Sequence, residues 1–131
     1  MLKLINHARS KGTMCGTVEK SPVSPLKLND QLTKSAQNHS LDMANKNYFS
    51  HDSLDGRKFD RRIINEGYNY RTAGENIAAG YNTPEEVMNG FLSSPGHCEN
   101  IMNSSFKEVG IGYAYNQYSK YKTFWTQDFG S

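Results

Sequence analysis

Two imidazoles and one carboxylate stand in short, sharply punctuated segments of this chain. His51 closes Phe49-Ser50-His51, Glu75 follows Gly74 in Gly74-Glu75-Asn76-Ile77-Ala78-Ala79-Gly80, and His97 lies in Ser94-Pro95-Gly96-His97-Cys98. Two histidines and a carboxylate can hold Zn²⁺ with one coordination position left open, as in several metallopeptidases. Such enzymes use a further glutamate as general base beside the ligands. Glu75 cannot readily serve as both, which leaves Asp55 or Asp128 as candidates for a base. The three residues are far apart in sequence and carry no local metal signature, so the set exists only if folding gathers it. The plainer alternative gives Glu75 and Asn76 to the hydrogen bonding of loop amides. No Gly-x-Ser-x-Gly, His-Glu-x-x-His, phosphate-binding loop or nucleotide fingerprint competes. Cys98 beside His97 suggests a thiol and its base, but helical neighbours point about 100° apart.

Other polar residues have simpler expected roles. Asn100 and Gln127 interrupt apolar segments, where buried hydrogen bonding is the default. Support for His51 or His97 is their sharper role. His39 falls on an apolar helical stripe and reads as a hydrogen-bonded core histidine, and His7 as a surface residue. Trp125 and the tyrosines around it are expected in the core and on the sheet surface.

The elements that must position these groups follow from periodicity. Leu2, Ile5 and Ala8 predict an opening helix to Lys11, stopped by Gly12. Residues 12–28 hold two glycines and two prolines and read as an extended connection. Asn29 or Asp30 caps a long helix with the stripe Leu32, Ala36, His39 and Met43, leaving His51 on irregular backbone past its end. Phe59, Ile63 and Glu66 predict a short helix with Gly67 as its left-handed stop. Glu75 to Ala79 reads as a brief strand. Thr83-Pro84-Glu85-Glu86 is a cap-plus-proline helix start, and Ser94-Pro95 repeats the device, placing His97 in a first turn. Val109, Ile111, Tyr113 and Tyr115 then alternate with Gly110, Gly112 and Ala114, a strand with one bulky and one bare face. Thr123 to Phe129 is its hairpin partner. Helices first and strands last give an α+β order.

Five motifs in order carry a family resemblance: Phe49-Ser50-His51, Gly74-Glu75-Asn76-Ile77-Ala78, Ser94-Pro95-Gly96-His97-Cys98-Glu99-Asn100-Ile101-Met102-Asn103, Val109-Gly110-Ile111-Gly112-Tyr113 and Trp125-Thr126-Gln127-Asp128-Phe129-Gly130. Together they resemble the CAP superfamily of cysteine-rich secretory, venom-allergen and plant pathogenesis-related proteins, above all its bacterial branch of SCP-like extracellular proteins. The resemblance covers nearly the whole chain and implies a single CAP domain over residues 1–131, an α-β-α sandwich with a small antiparallel sheet between helices. It implies that His51, Glu75 and His97 belong to a cleft tetrad and could serve as ligands of a divalent metal such as zinc. Ser94 stands where many eukaryotic relatives carry an acidic residue, which weakens any mechanism needing two carboxylates. Asn76, Asn100 and Gln127 are the expected supports behind the cleft. Phe91 takes a position where relatives often carry tryptophan, and packing suffices for it.

Two cysteines allow a single pairing or none. Unrelated buried thiols are one reading, and the resemblance favours the other, Cys15 bonded to Cys98. Closing so long a loop stabilises a fold by roughly 4–5 kcal/mol and needs an oxidising compartment. The expectation is therefore an extracellular or cell-surface protein, with the export segment, and with it any lipid-bearing cysteine of a lipoprotein, lying upstream of these residues. The formal charge is only +2, spread along the chain without a basic tract, which argues against nucleic acid. No apolar run reaches the roughly 20 residues of a membrane span. A hydrophobic content of 36% is enough for one folded core. The expected function is non-enzymatic: a monomeric binding module for a protein partner or a small apolar ligand, with lipid or sterol suggested by analogy. The competing expectation is a metal-dependent hydrolase of peptide or cell-wall substrates using the same cleft.

Overall fold

A computed structural model describes all residues, 1–131, and its elements begin where the local chemistry places them. Helix α1 (Leu2–Lys11) stops at Gly12, whose φ of 76° lies in the region glycine favours. The connection expected to be merely extended holds three short strands instead. β1 (Thr13–Cys15) and β2 (Val18–Lys20) form a small hairpin turning at Gly16, and β3 (Lys27–Leu28) joins the main sheet. Segments of two or three residues are too short to display an alternating pattern, so periodicity could not find them.

Helix α2 (Asp30–Lys46) is capped by Asn29, whose side chain accepts from the Leu32 N–H at 2.9 Å, and ends in left-handed Asn47. Helix α3 (Phe59–Asn65) follows a loop and precedes strand β4 (Ala73–Ala79). Helix α4 (Pro84–Leu92) starts as its sequence dictates, with Thr83 Oγ1 accepting from the Glu86 N–H at 3.2 Å. Helix α5 (Pro95–Ile101) differs: Ser94 occupies the cap position but its hydroxyl makes no cap bond. Strands β5 (Glu108–Tyr115) and β6 (Thr123–Gly130) close the chain as a hairpin.

The main sheet runs β3-β5-β6-β4. Its three long strands are antiparallel, and only the two-residue β3 adds a parallel pairing. Strand β6 is central and buried along its whole length. On one face Ile5, Val87, Phe91, Ile101, Val109, Trp125 and Phe129 join α1, α4 and α5 to the sheet. On the other, Met43 and Ala44 of α2 meet Ile77, Ala114 and Phe124. This is the expected α-β-α sandwich.

The bare face of β5 lets α2 lie directly on the backbone. A Cβ on Gly110 would sit 2.0 Å from the Leu32 carbonyl carbon, and one on Gly112 2.4 Å from that of Ala36. Neither neighbour is a side chain that can swing aside. The disulfide joins Cys15 to Cys98, both fully buried, tying the β1–β2 hairpin to α5. Arg9, also fully buried, adds a second tie. Its guanidinium donates to the carbonyls of Ser24, Ile101, Asn103 and Phe106 at 2.7–3.3 Å.

Candidate functional site

Strand β4 is an edge of the sheet, and the cleft straddles that edge. His51 reaches it from the loop after α2, on one side of the sandwich. His97 reaches it from the first turn of α5, on the other. Together with Phe49, Ser50, Asp52 and Ile77 they line a hollow of about 460 Å³. The chain thus brings its two candidate imidazoles to one shared surface from opposite layers.

Glu75 lies behind His51 with its carboxylate buried. Its Oε1 is 2.9 Å from His51 Nδ1 and 3.0 Å from Arg62 Nη2, while Oε2 is 3.0 Å from Arg62 Nη1. The His51 Nδ1–H donates to the carboxylate, which leaves Nε2 as the free nitrogen. Arg62, itself 5% exposed, also donates from Nη2 to the His51 carbonyl at 2.6 Å. A bidentate guanidinium supplies the compensation a buried carboxylate requires. Sequence inspection missed Arg62, which follows Asp60-Arg61 and reads as one of a run of solvated charges.

Asp128 is the second buried acid. It faces Glu75 across the β4–β6 register, is completely buried, and receives no N–H or O–H bond at either oxygen. Burial first, and then the Glu75 charge, push its pKa well above the usual carboxylate range. Burial likewise raises Glu75, opposed by the neighbouring Asp128 carboxyl and by the charge and hydrogen bonds of Arg62. Burial thus favours the neutral carboxyl at Asp128, and the charge of the two acids sits on Glu75 beside Arg62. Asp55, the other acid weighed as a base, is exposed and paired with Arg57 at 2.9 Å.

On the opposite side, Ser94 Oγ is 2.9 Å from His97 Nδ1. The hydroxyl that the sequence assigned to capping is spent on the imidazole, and the Phe91 ring packs 5.0 Å from it. Behind α5, Asn76 donates to the His97 carbonyl at 3.1 Å and to Gln127 Oε1 at 3.1 Å, and Asn100 donates to Asn76 Oδ1 at 2.9 Å. The expected supports are thus joined in one network, which holds the backbone of His97 rather than its ring. Burial lowers the pKa of both cleft histidines, aided by Arg62 at His51 and by His51 at His97. Both rings are neutral at neutral pH.

No three or more His, Cys, Asp or Glu side chains gather closely enough to hold an ion among themselves. The cleft presents two imidazoles with Glu75 turned to Arg62. Asp52 at the rim faces Lys58 at 3.4 Å. His39 bonds the Ser50 carbonyl through Nε2 at 2.8 Å and lies outside the hollow, and His7 is exposed.

The fold and this arrangement define a class. The model of the cysteine-rich secretory protein (CAP) family matches residues 2–129, and the chain belongs to that family. It is 43% identical over 112 residues to the Bacillus subtilis (strain 168) protein YkwD, covering 85% of this chain and 41% of that protein. Among solved structures, an extracellular protein containing a SCP domain from Bacillus anthracis str. Ames superposes with a TM-score of 0.73 at 34% identity, over 82% of this chain and 34% of that one. An outer surface protein from Borrelia burgdorferi shares the fold, with a TM-score of 0.73 at 22% identity over 83% of this chain and 79% of that one. The chain spans about two fifths of YkwD and 24% of a second curated Bacillus subtilis relative, the membrane protein YlbC. No helix of this chain is long and apolar enough to cross a membrane.

Proposed function

We propose that this domain is a non-enzymatic binding module working outside the cell or at its surface. The observation that carries the reading is the commitment of Glu75. Both of its oxygens are engaged by Arg62 and His51, and Asp52, the other carboxylate lining the cleft, is turned to Lys58. Asp128 is fully buried, and burial pushes its pKa well above the usual carboxylate range. Proton-transfer chemistry lacks its second partner.

The same geometry suits metal binding by two residues rather than three. A carboxylate on His51 Nδ1 is the outer partner that leaves Nε2 available as a ligand. Ser94 can accept the Nδ1–H of His97 with the same result. His51 and His97 would hold a divalent ion such as Zn²⁺, matched by softness to imidazole. Glu75 would act through His51, a smaller role than the ligand role its family position suggested. The ion would supply open coordination positions for a partner's own donor. Phe49 and Ile77 flank the hollow and offer an apolar contact to that partner, whether a protein segment or a lipid or sterol.

The test uses the disulfide-bonded protein. Calorimetric titration with Zn²⁺ should give one site, lost in the His51→Ala, His97→Ala double variant. Turnover of a peptide or peptidoglycan substrate that disappears in His97→Ala would overturn the non-enzymatic reading and favour a hydrolase.

A further inference from the structure

The edge of the sheet along which the cleft lies is unpaired. Strand β4 and its flanks bond to β6 and Ser131 through Thr72, Gly74, Asn76, Ala78 and Gly80. The paired Thr72–Ser131 bonds and the Gly80 N–H on the Thr123 carbonyl fix that alternation. Ala73, Glu75, Ile77 and Ala79 therefore turn their N–H and C=O groups outward, away from β6. Asn100 Nδ2 donates to the Glu75 carbonyl at 3.2 Å, a side-chain amide standing where a neighbouring strand would place its N–H. The outward groups of Ala73, Ile77 and Ala79 have no such partner.

Two hollows follow this edge. One is the cleft hollow at Ile77, between His51 and His97. The other, of about 560 Å³, is lined by Ala73, Gly74 and Glu75 of the strand, by Asn100 from the α5 side and by Phe59 and Asp60 from the α3 side. His51 and Asp52 line both, so the two make one groove from Ala73 to Ile77, roughly 14 Å of strand. An unpaired edge is a template for another extended chain, and main-chain bonding to an edge is one of the recurring modes of peptide recognition. A lipid or sterol has no alternating donors and acceptors to match it.

The groove also specifies side chains. A residue paired in register with Ile77, Glu75 or Ala73 turns its side chain to the same face as theirs, the face of α2 and α3. Opposite Ile77 it meets the apolar surface of Phe49. Opposite Glu75 it passes His51, which stands over the carboxylate and favours a small side chain. Opposite Ala73 it meets Phe59 and Asp60. Lys58 is paired with Asp52, whereas Asp60 accepts from the Arg61 N–H and the Tyr70 hydroxyl and has no cation. A lysine with its stem over Phe59 and its ammonium at Asp60 complements that end.

We infer that β4 accepts an extended peptide as a fifth, antiparallel strand of the main sheet, with an apolar residue at Ile77, a small one at Glu75 and a basic one at Ala73. This rests on the proposed reading of the cleft as a binding site, and names its partner as a protein segment.

The probe is acetyl-Thr-Val-Thr-Ala-Thr-Lys-Thr-amide, added to the ¹⁵N-labelled full chain with its disulfide intact and with EDTA present to exclude metal. The expected result is saturable NMR shifts at the Ala73 and Ile77 amides, with a dissociation constant below about 1 mM. Hydrogen exchange at the Ile77 N–H should slow in the complex. Methylating the valine nitrogen of the peptide removes the bond to the Ile77 carbonyl and should weaken binding about tenfold. Asp60→Asn should weaken the lysine peptide about threefold and leave its glutamine counterpart unchanged. Absence of saturable shifts, unchanged exchange at Ile77 in the complex, or full affinity of the N-methylated peptide would overturn the inference. So would protection of Ile77 that grows with protein concentration in the absence of peptide, since the edge would then belong to a second copy of the chain. Cleavage of the bound peptide would support the docking and overturn the non-enzymatic reading alone. Absent peptide shifts beside an intact Zn²⁺ site would overturn the docking alone.

Discussion

Arg62 grips both oxygens of Glu75, 3.0 Å on each arm, where the two side chains are 5% and 1% exposed. This pair organises the interior behind the cleft, because the same guanidinium also holds the His51 carbonyl. Removing one member of a buried ion pair strands the other charge, at a cost of about 3–5 kcal/mol. Arg62→Met should therefore destabilise the domain by that amount in urea denaturation. Adding Glu75→Gln should recover part of the loss, since no ionised carboxylate then remains uncompensated. A double variant as unstable as the sum of the two single ones would contradict the pairing.

Asp128 gives a prediction with a definite sign. A carboxyl whose pKa is raised by folding binds its proton more tightly in the native state. Stability is thereby lost as pH rises from the unfolded value of about 3.9 toward the native one. Asparagine has the same shape and no proton to lose. Asp128→Asn should gain on the parent by up to about 1.4 kcal/mol per pH unit above pH 4, as read from thermal denaturation across a pH series. A difference that stays constant with pH would place an ionised Asp128 in the native protein.

For the cleft, both histidine pKa values are lowered by burial. Neutral imidazole is the ligand form, so Zn²⁺ affinity should hold steady through the ordinary histidine value of about 6.5 and fall only below it. With two imidazoles competing for protons, the fall should approach a hundredfold per pH unit, on the order of one decade for each ring. Calorimetry from pH 7.5 downward checks this, and a decline already under way at pH 6.5 would show that the rings titrate as exposed histidines do.

The disulfide ties the hairpin β1–β2 to the helix that carries His97. Replacing both cysteines by alanine should lower stability by about 4–5 kcal/mol on the chain-entropy account. It should also weaken Zn²⁺ binding, because Cys98 anchors the turn that presents His97. Unchanged affinity in the double variant would show that the network of Asn76, Asn100 and Gln127 is sufficient to place that turn.

What sequence reading reached, and what it missed, divides along physical lines. His51, Glu75, Ser94 and His97 were read as a set through the family resemblance of the motifs that carry them, because nothing in their own spacing groups them. The helix starts at Asn29 and Thr83 were legible because a cap is a short-range bond between near neighbours. Arg62 and Arg9 were not. An arginine buried against distant carbonyls or a distant acid looks, in its own helix, like any charged surface residue. Asp128 was noticed, yet its depth comes from a central strand covered on both faces, a property of the assembled sandwich. Ser94 was read as a cap because its place before proline fits one. The competing acceptor, the imidazole three residues on, becomes its partner only when the turn is built.

The glycine strip on β5 makes the cleft depend on a distance set far from it. With no side chains between them, backbone rests on backbone, and the height of α2 above the sheet has no adjustable spacer. Helix α2 carries His39, which fastens the Ser50 carbonyl, one residue before His51. A methyl group at Gly110 or Gly112 would act as a wedge under that lever. The lifted helix would carry the Ser50 anchor with it and tilt one imidazole out of alignment with the other, though nothing in the cleft itself had been altered.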